Sequence, residues 1–419
     1  MKKVLIITYY WPPSGGGGVQ RWLKFAKYLP EFGWEPLIYT PENPDFPIQD
    51  ASLLKDVSNE LEVIKLPIWE PYQLFEKISG KKTPAQGLVS SNKKKSWFTN
   101  LVLWIRGNFF IPDPRRFWVK PSVKFLKDIV ESNDIKTIVT TGPPHSIHLI
   151  GLGLKKKMNI RWVADFRDPW SKWDMLDSFK LSSLAKSKHK KLELNVLKNA
   201  DRVLTVSDTW AKEFETIYTR PYDVITNGYD EEDFGILDKK GSENYFVISH
   251  FGLINNFRNP RNFWKALKEM TVRRKIKVKL YGVIEQNIQD QIRSDDKLNK
   301  MIEIKPSISH EEVIKAYKQS DLLLLLLNNS KNAEGHIPGK LFEYLASNRP
   351  ILSIGSTEGD VANILFKTSA GRFYKTTDDL AEPLEEIINN GWDLKRGDIK
   401  KFSRKSLTSE LVNKVLEDS

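Results

Sequence analysis

Lys340 and Glu343 stand three residues apart within EGHIPGKLFEYLASNRPILSIG, residues 334–355. On a helix, side chains at that spacing share a face. An ammonium there can neutralise a phosphate, and a carboxylate one turn along can accept two hydroxyl hydrogen bonds from a ribose. The surrounding elements suit such a pair. Residues 322–327 are six consecutive leucines, the pattern of a strand buried on both faces. A polar loop follows, then Pro338, which suits the first position of a helix because its missing N–H would have no partner there. Residues 338–346 read as that helix and 350–354 as the next buried strand. Strand, loop and helix N-terminus together present free N–H groups and the positive end of a helix dipole to whatever enters the loop. The stretch reads as a nucleotide-diphosphate site. The plainer alternative is an amphipathic helix between core strands with a solvated lysine and glutamate.

Three other places carry candidate chemistry. Residues 3–9 are a β-rich apolar run, Gly15, Gly16, Gly17 and Gly18 follow, and 19–29 have helical spacing with Trp22, Phe25, Ala26 and Leu29 on one face. A glycine-rich turn between a first strand and a first helix suits close backbone approach by a ligand, or is merely flexible. It is not a dinucleotide fingerprint, since Gln20 takes the third glycine position, and it lacks the Gly-Lys-Ser/Thr end of a P-loop. His145 lies where a strand over 137–141 gives way to a helix, at the edge where open α/β sheets bind ligands. His148 competes with it, and either could be a satisfied surface histidine. Arg167 and Asp168 leave the end of a strand over 161–166. Asp168 could orient a hydroxyl and Arg167 a phosphate, or both could join Asp165 in a structural ion-pair network.

PGKLFEYLASNRPIL resembles the donor-binding segment of retaining GT-B glycosyltransferases of family four. The resemblance implies that Glu343 is the second glutamate of a Glu-x7-Glu pattern and holds the donor ribose. Gly335 occupies the first glutamate's position, with Glu334 one residue early. Donor contacts are implied for His336, Ile337, Gly339, Lys340 and Leu341. YYWPPSGGGGVQR is similar to the family's N-terminal loop, which places Gly16, Gly17 and Gly18 toward the donor diphosphate across an interdomain cleft. TGPPHSIHLIG and ADFRDPW resemble acceptor-side loops, implying His145, Arg167 and Asp168 as acceptor contacts, with His145 and Asp168 near the chemistry. The first turn of the second domain begins at Gly252 and departs from the family's Gly-Arg-Leu-x-x-x-Lys-Gly. Leu253 stands at the arginine position and Arg258 at the lysine position, so Arg258 and Lys340 are left as the diphosphate cations.

The alternation of strands and helices occurs twice, so the expected architecture is α/β: GT-B, two Rossmann-like domains with parallel sheets facing a central cleft. The expected layout is an N-terminal acceptor domain over 1–228, a linker over 229–244, a donor domain over 245–395 and a helix over 396–419 crossing back. The implied activity is sugar transfer from a nucleotide-sugar donor to a saccharide or lipid-linked saccharide acceptor with retention, in cell-surface polysaccharide or lipopolysaccharide synthesis. No metal or cofactor is expected, because fixed cations face the diphosphate and no Asp-x-Asp motif is present. Two alternatives remain: a catalytically weak GT-B chain that only binds glycans, and a nucleotide-sugar 2-epimerase.

With 419 residues, 40% hydrophobic and 28% charged, the chain has the balance of a globular protein of two domains. It has no cysteine, which excludes disulfides, thiol catalysis and zinc thiolates. It opens without a signal-peptide pattern, so a cytoplasmic home is expected. The net charge of +12 asks for an anionic partner. Much of it lies in a basic aromatic insertion at about 68–118 and just beyond. Residues 77–127 hold twelve Lys/Arg against one acidic residue, Asp113, interleaved with Trp97, Phe98, Trp104, Phe109, Phe110, Phe117 and Trp118. A helix over 97–111 stopped at Pro112 would suit an anionic membrane surface, which makes a peripheral position on the inner face of the plasma membrane the expectation. The aromatics could instead be core. Stacking on single-stranded nucleic acid uses the same residue types, but no nucleic-acid motif accompanies them.

Overall fold

The computed structural model describes residues 1–46, 48–71, 97–235, 244–330, 332–392 and 397–417. The chain divides into two compact units, Met1–Asn227 with Arg404–Ser419, and Gly228–Ser403. The first unit holds strands β1 (Lys2–Ile7), β2 (Trp34–Pro41), β3 (Glu62–Leu66), β4 (Thr137–Gly142), β5 (Arg161–Phe166), β6 (Arg202–Thr205) and β7 (Asp223–Val224). Its main helices are α1 (Gly17–Tyr28), α2 (Trp97–Phe109), α3 (Arg116–Ser132), α4 (Ser146–Lys155), α5 (Ser183–Asn199) and α6 (Asp208–Glu215). The second unit holds β8 (Tyr245–Phe251), β9 (Lys275–Tyr281), β10 (Ile302–Lys305), β11 (Leu322–Leu326), β12 (Ile351–Gly355) and β13 (Gly371–Lys375). Around them run α7 (Arg261–Glu269), α8 (Gln286–Arg293), α9 (Asp296–Met301), α10 (His310–Lys318), α11 (Lys340–Ala346), α12 (Asp360–Thr368) and α13 (Ala381–Asn390).

Every strand pairs in parallel, in the orders β3-β2-β1-β4-β5-β6-β7 and β10-β9-β8-β11-β12-β13. Each sheet is covered on both faces, and the leucine run shows why its sequence looks as it does. Leu322, Leu324 and Leu326 enter one core with Ile248 and Val278, while Leu323, Leu325 and Leu327 enter the opposite one with Tyr344 and Leu345. Alternate side chains of a strand point to opposite faces, so a strand between two cores is apolar throughout. β1 repeats the device, with Leu5 and Ile7 on one side and Val4 and Ile6 on the other.

In both sheets the strand order reverses, between β1 and β4 and between β8 and β11. Loops leaving neighbouring strands at such a point turn to opposite faces and leave a crevice at the C-terminal edge. The fold therefore selects four loops, those after β1, β4, β8 and β11.

Two expected boundaries are corrected. Residues 229–235, read as linker, are built into the second unit because Tyr229 and Phe234 bury in its core beside Phe402. Asp230 caps the 3-10 turn between them, Oδ1 accepting from the Glu232 N–H at 3.2 Å. The single helix expected near the C-terminus is broken at Ser403, which bridges to Tyr229. Beyond it α14 (Arg404–Leu411) packs on α1 in the first unit. Of the basic insertion, residues 72–96 lie outside the described residues.

Candidate functional site

In the second unit β8 ends at Phe251, and Gly252 turns the chain with φ of 134°, a value that side chains rarely adopt. A Cβ at Gly252 would also strike the Nζ of Lys340, which donates to the Phe251 carbonyl. The bare glycine is what lets Lys340 reach back to the end of β8. A 3-10 turn, Asn256–Arg258, follows, capped by the Asn255 side chain, which accepts from the Phe257 N–H at 3.1 Å. It presents Arg258, whose Nε donates to Oδ1 of Asn328, just past β11. Lysine and arginine are thus tied to the loops of both switch-point strands.

Burial pushes Lys340 down to about 8, the Arg258 charge pushes the same way, and Glu343 pushes back. Burial also lowers Arg258. Two cations therefore share a half-buried place with one carboxylate, a charge balance that an anion would restore. Glu343 accepts from the Tyr317 hydroxyl on Oε2 at 2.8 Å, which fixes the carboxylate and leaves Oε1 for ligand hydroxyls. Burial and Glu343 together hold Tyr317 in its protonated form. His250, which the sequence reading did not single out, lies under the site. The Leu324 carbonyl, 2.9 Å from Nδ1, must accept, so the proton is on Nδ1 and the Nε2 lone pair is left over. Burial, then Lys340, lowers His250 to about 3, so it adds no third positive charge.

Other expected donor contacts need revision. Ile337 and Leu341 bury their side chains in the core beside Tyr344, so only their backbone could meet a ligand. His336 is half-buried, and Gly339 is exposed with open space where a side chain would stand. The helix starts at Lys340, two residues later than expected, although the Leu341 and Phe342 N–H groups close a first turn on Pro338 and Gly339 at 3.0 and 3.1 Å. With seven residues its dipole is short, so the fixed cations carry more of the electrostatics.

In the first unit Gly16, with φ of 91°, and Gly17 have no neighbour where a Cβ would be, so their backbone lies open at the start of α1. Arg167 corrects the sequence reading. Its guanidinium donates to the carbonyls of Gly18, Gly142 at 3.2 Å and Pro143 at 2.7 Å, clipping together the loops after β1, β4 and β5. Those donors are engaged with backbone, so Arg167 is foremost a positioning residue. Asp165 pairs elsewhere, with Arg21, and both are fully buried.

Of the two competing histidines, His145 lines a cavity of about 50 Å³, together with Tyr10, Phe110, Trp170, Trp173 and His189. It stacks on Trp170 with centroids 5.0 Å apart and planes 4° from parallel. His148 instead sits in the core against Phe166, its Nδ1 3.0 Å from the Thr140 hydroxyl. Burial lowers both, so both are neutral and His145 can only donate or accept a hydrogen bond. Sequence reasoning missed two residues here, His189 in the cavity wall and Glu193 behind it. His189 Nδ1 accepts from the Trp170 indole at 3.0 Å, and Glu193 accepts from the Ser171 N–H at 3.2 Å. Both lie on the lysine-studded α5, and together they hold the ring on which His145 rests.

Asp168 follows Arg167 and titrates near neutrality. Burial raises it from 3.8 to about 6, Arg167 opposes, and Asp174 and Asp165 add to the rise. A carboxyl raised in this way keeps its proton in the folded chain where the unfolded chain has lost it. Its ionisation therefore costs stability as pH climbs from about 4 through about 6. Asp168→Asn should melt higher than wild type near pH 7.5, with the advantage gone by about pH 4. Thermal melts of both proteins across that range check this, and a pH-independent difference would contradict it.

Two parallel sheets of seven and six strands, each with candidate residues at its switch point, define a GT-B chain. The sequence profile described as Glycosyltransferase Family 4 matches residues 15–233, and one described as Glycosyl transferase-like matches 258–395. The chain belongs to glycosyltransferase family 4. Among solved structures it is similar to a glycosyltransferase from Rickettsia africae at 14% identity and TM-score 0.62, covering 100% of this chain and 99% of that one. A sucrose-phosphate synthase from Thermosynechococcus elongatus aligns at 12% identity and TM-score 0.62, over 99% and 98%. Anabaena HepE, solved in complex with UDP, aligns at 11% identity and TM-score 0.57, over 99% and 95%. No curated protein sequence matches the chain.

Proposed function

We propose that this glycosyltransferase moves a sugar from a nucleotide-sugar donor, with retention, to a saccharide or lipid-linked saccharide acceptor in cell-surface polysaccharide synthesis. The observation that carries the donor half is the Lys340–Arg258–Glu343 group: two cations crowded at a switch point, with a carboxylate placed for a diol. The leaving diphosphate gains negative charge as the glycosidic bond breaks, and cations fixed in place beforehand stabilise that charge without reorganising. The departing phosphate oxygen then takes the acceptor proton on the same face, which gives retention. Acceptor binding falls to the cavity of His145, whose neutral ring, held on Trp170, can exchange a hydrogen bond with an acceptor hydroxyl. Asp168, titrating near 6, supplies an orienting carboxylate. Catalysis in this reading is metal-independent.

The test is turnover of a panel of nucleotide sugars by the purified chain in excess EDTA. Slow release of nucleoside diphosphate from one donor is expected, accelerated by the matching acceptor. Donor binding without release would identify a glycan- or nucleotide-binding protein, and conversion of the sugar without release would identify an epimerase. Activity lost with EDTA and restored by Mn²⁺ would contradict the metal-independent mechanism.

A further inference from the structure

The donor and acceptor chemistry leaves α2 unexplained. This helix of thirteen residues contains no acidic side chain. One face is seated firmly: a Cβ on Gly107 would meet Phe179 Cβ at 2.5 Å and Leu181 Cδ2 at 2.6 Å, and Arg106 lies 5.1 Å from the Phe179 ring centroid. The opposite face is a stripe at helical spacing that faces water. Trp97, Leu101, Trp104, Ile105 and Phe109 are 75, 41, 38, 39 and 61% exposed. Phe117 extends the stripe, its ring 5.0 Å from that of Trp69. Every tryptophan among the large exposed apolar side chains of the described residues falls here: Trp69, Trp97 and Trp104. A contiguous apolar face of this extent marks a surface that something covers.

The charges beside it say what covers it. Arg116 lies 5.8 Å from the Phe117 ring centroid, and Lys120, Lys124 and Lys127 stand exposed at helical spacing further along α3. Lys127 shares its charge with Glu131 at 3.6 Å, while Lys120 and Lys124 form no ion pair among the described residues. Asp113 is turned inward, accepting from the Ser146 hydroxyl and N–H at 2.8 Å each. A second copy of the chain would bring its own lysines against these. A surface that is apolar in the middle and anionic at its edge would not.

We propose that α2 and the first turns of α3 dock on an anionic lipid bilayer. The tryptophan-bearing stripe sits at the headgroup–acyl boundary and the lysines lie among the headgroups. This surface goes beyond the donor reading and does not depend on it. The inner edge of α2, Arg106 and Gly107, lines the cavity of His145, so one helix joins the bilayer to that cavity.

The test is co-sedimentation of the full chain with vesicles of phosphatidylcholine, alone or mixed with phosphatidylglycerol, at low and high salt. Thermal melts confirm that each variant folds. Wild type should bind the mixed vesicles and release at high salt. A combined Trp97→Ser, Trp104→Ser and Phe109→Ser variant should lose about tenfold or more. Lys120→Gln with Lys124→Gln should lose binding several-fold on mixed vesicles only. Equal binding to both vesicle types, no binding to either, or an aromatic variant as good as wild type would overturn the proposal. So would a dimer that the aromatic variant dissociates without any vesicle binding. Nucleoside diphosphate titration of the same preparations keeps the two readings apart: a chain that binds nucleotide but no vesicle overturns only this one.

Discussion

Asp165→Ala should destabilise the first unit by about 3–5 kcal/mol. Asp165 and Arg21 are fully buried, and the carboxylate accepts from Arg21 Nε at 3.2 Å and Nη2 at 3.1 Å, Trp22 Nε1 at 2.6 Å and the Thr141 hydroxyl at 2.9 Å. Arg21 Nη1 also donates to the Thr226 carbonyl at 2.9 Å, tying α1 to the chain beyond β7. Removing the carboxylate leaves a guanidinium in the interior without its counter-charge and strips two further donors of their acceptor. The cost arises from that unpaired charge more than from the lost attraction. Arg21→Met combined with Asp165→Leu should therefore be milder than Asp165→Ala alone. Urea unfolding of the three variants measures the difference. A loss below about 1 kcal/mol for Asp165→Ala would mean the pair behaves like a solvated one.

Lys340→Ala should cost about 2–4 kcal/mol in kcat/KM, falling mostly on kcat. The ammonium is fixed on the Phe251 carbonyl beside Arg258, and its contact with the leaving phosphate strengthens only as charge develops there. The same change removes a partly desolvated charge crowded by a second cation, so melting at neutral pH should stay level or rise. Glu343→Gln keeps the shape but weakens a ground-state contact, so the donor KM should rise by on the order of 1–3 kcal/mol with kcat nearly kept. Steady-state kinetics on both variants checks the split. Equal losses in kcat from both would mean the two side chains do not divide the work between phosphate and ribose.

The elements that position these residues were legible wherever a strand is buried on both faces. β5 falls where the sequence placed it, and the leucine run is a central strand. α8 and α9 escaped because each buries only one or two side chains, Ile288 with Ile292 and Leu298, too few to set a period. Lys340 and Glu343 could be named because residue types and spacing pointed to them, and Arg258 because it stands at the lysine position of the family's pattern. The roles of Arg167, His189 and Glu193 could not. Arg167 meets carbonyls 25 and 149 positions away along the chain, and Trp170 finds His189 across 19. Contacts of that kind are decided by which loops a switch point gathers. His250 left one faint trace, the polar pair Ser249-His250 inside a mostly apolar strand.

Calorimetric titration of uridine, guanosine and adenosine diphosphates into wild type and Glu343→Gln tests the donor site most directly. At neutral pH one nucleoside diphosphate should bind the wild-type chain in a single site, and Glu343→Gln should bind it at least fivefold more weakly, in keeping with a lost hydrogen bond to a charged acceptor. Failure of every nucleoside diphosphate to bind wild type, or equal affinity in the variant, would contradict the assignment of this site to a sugar nucleotide.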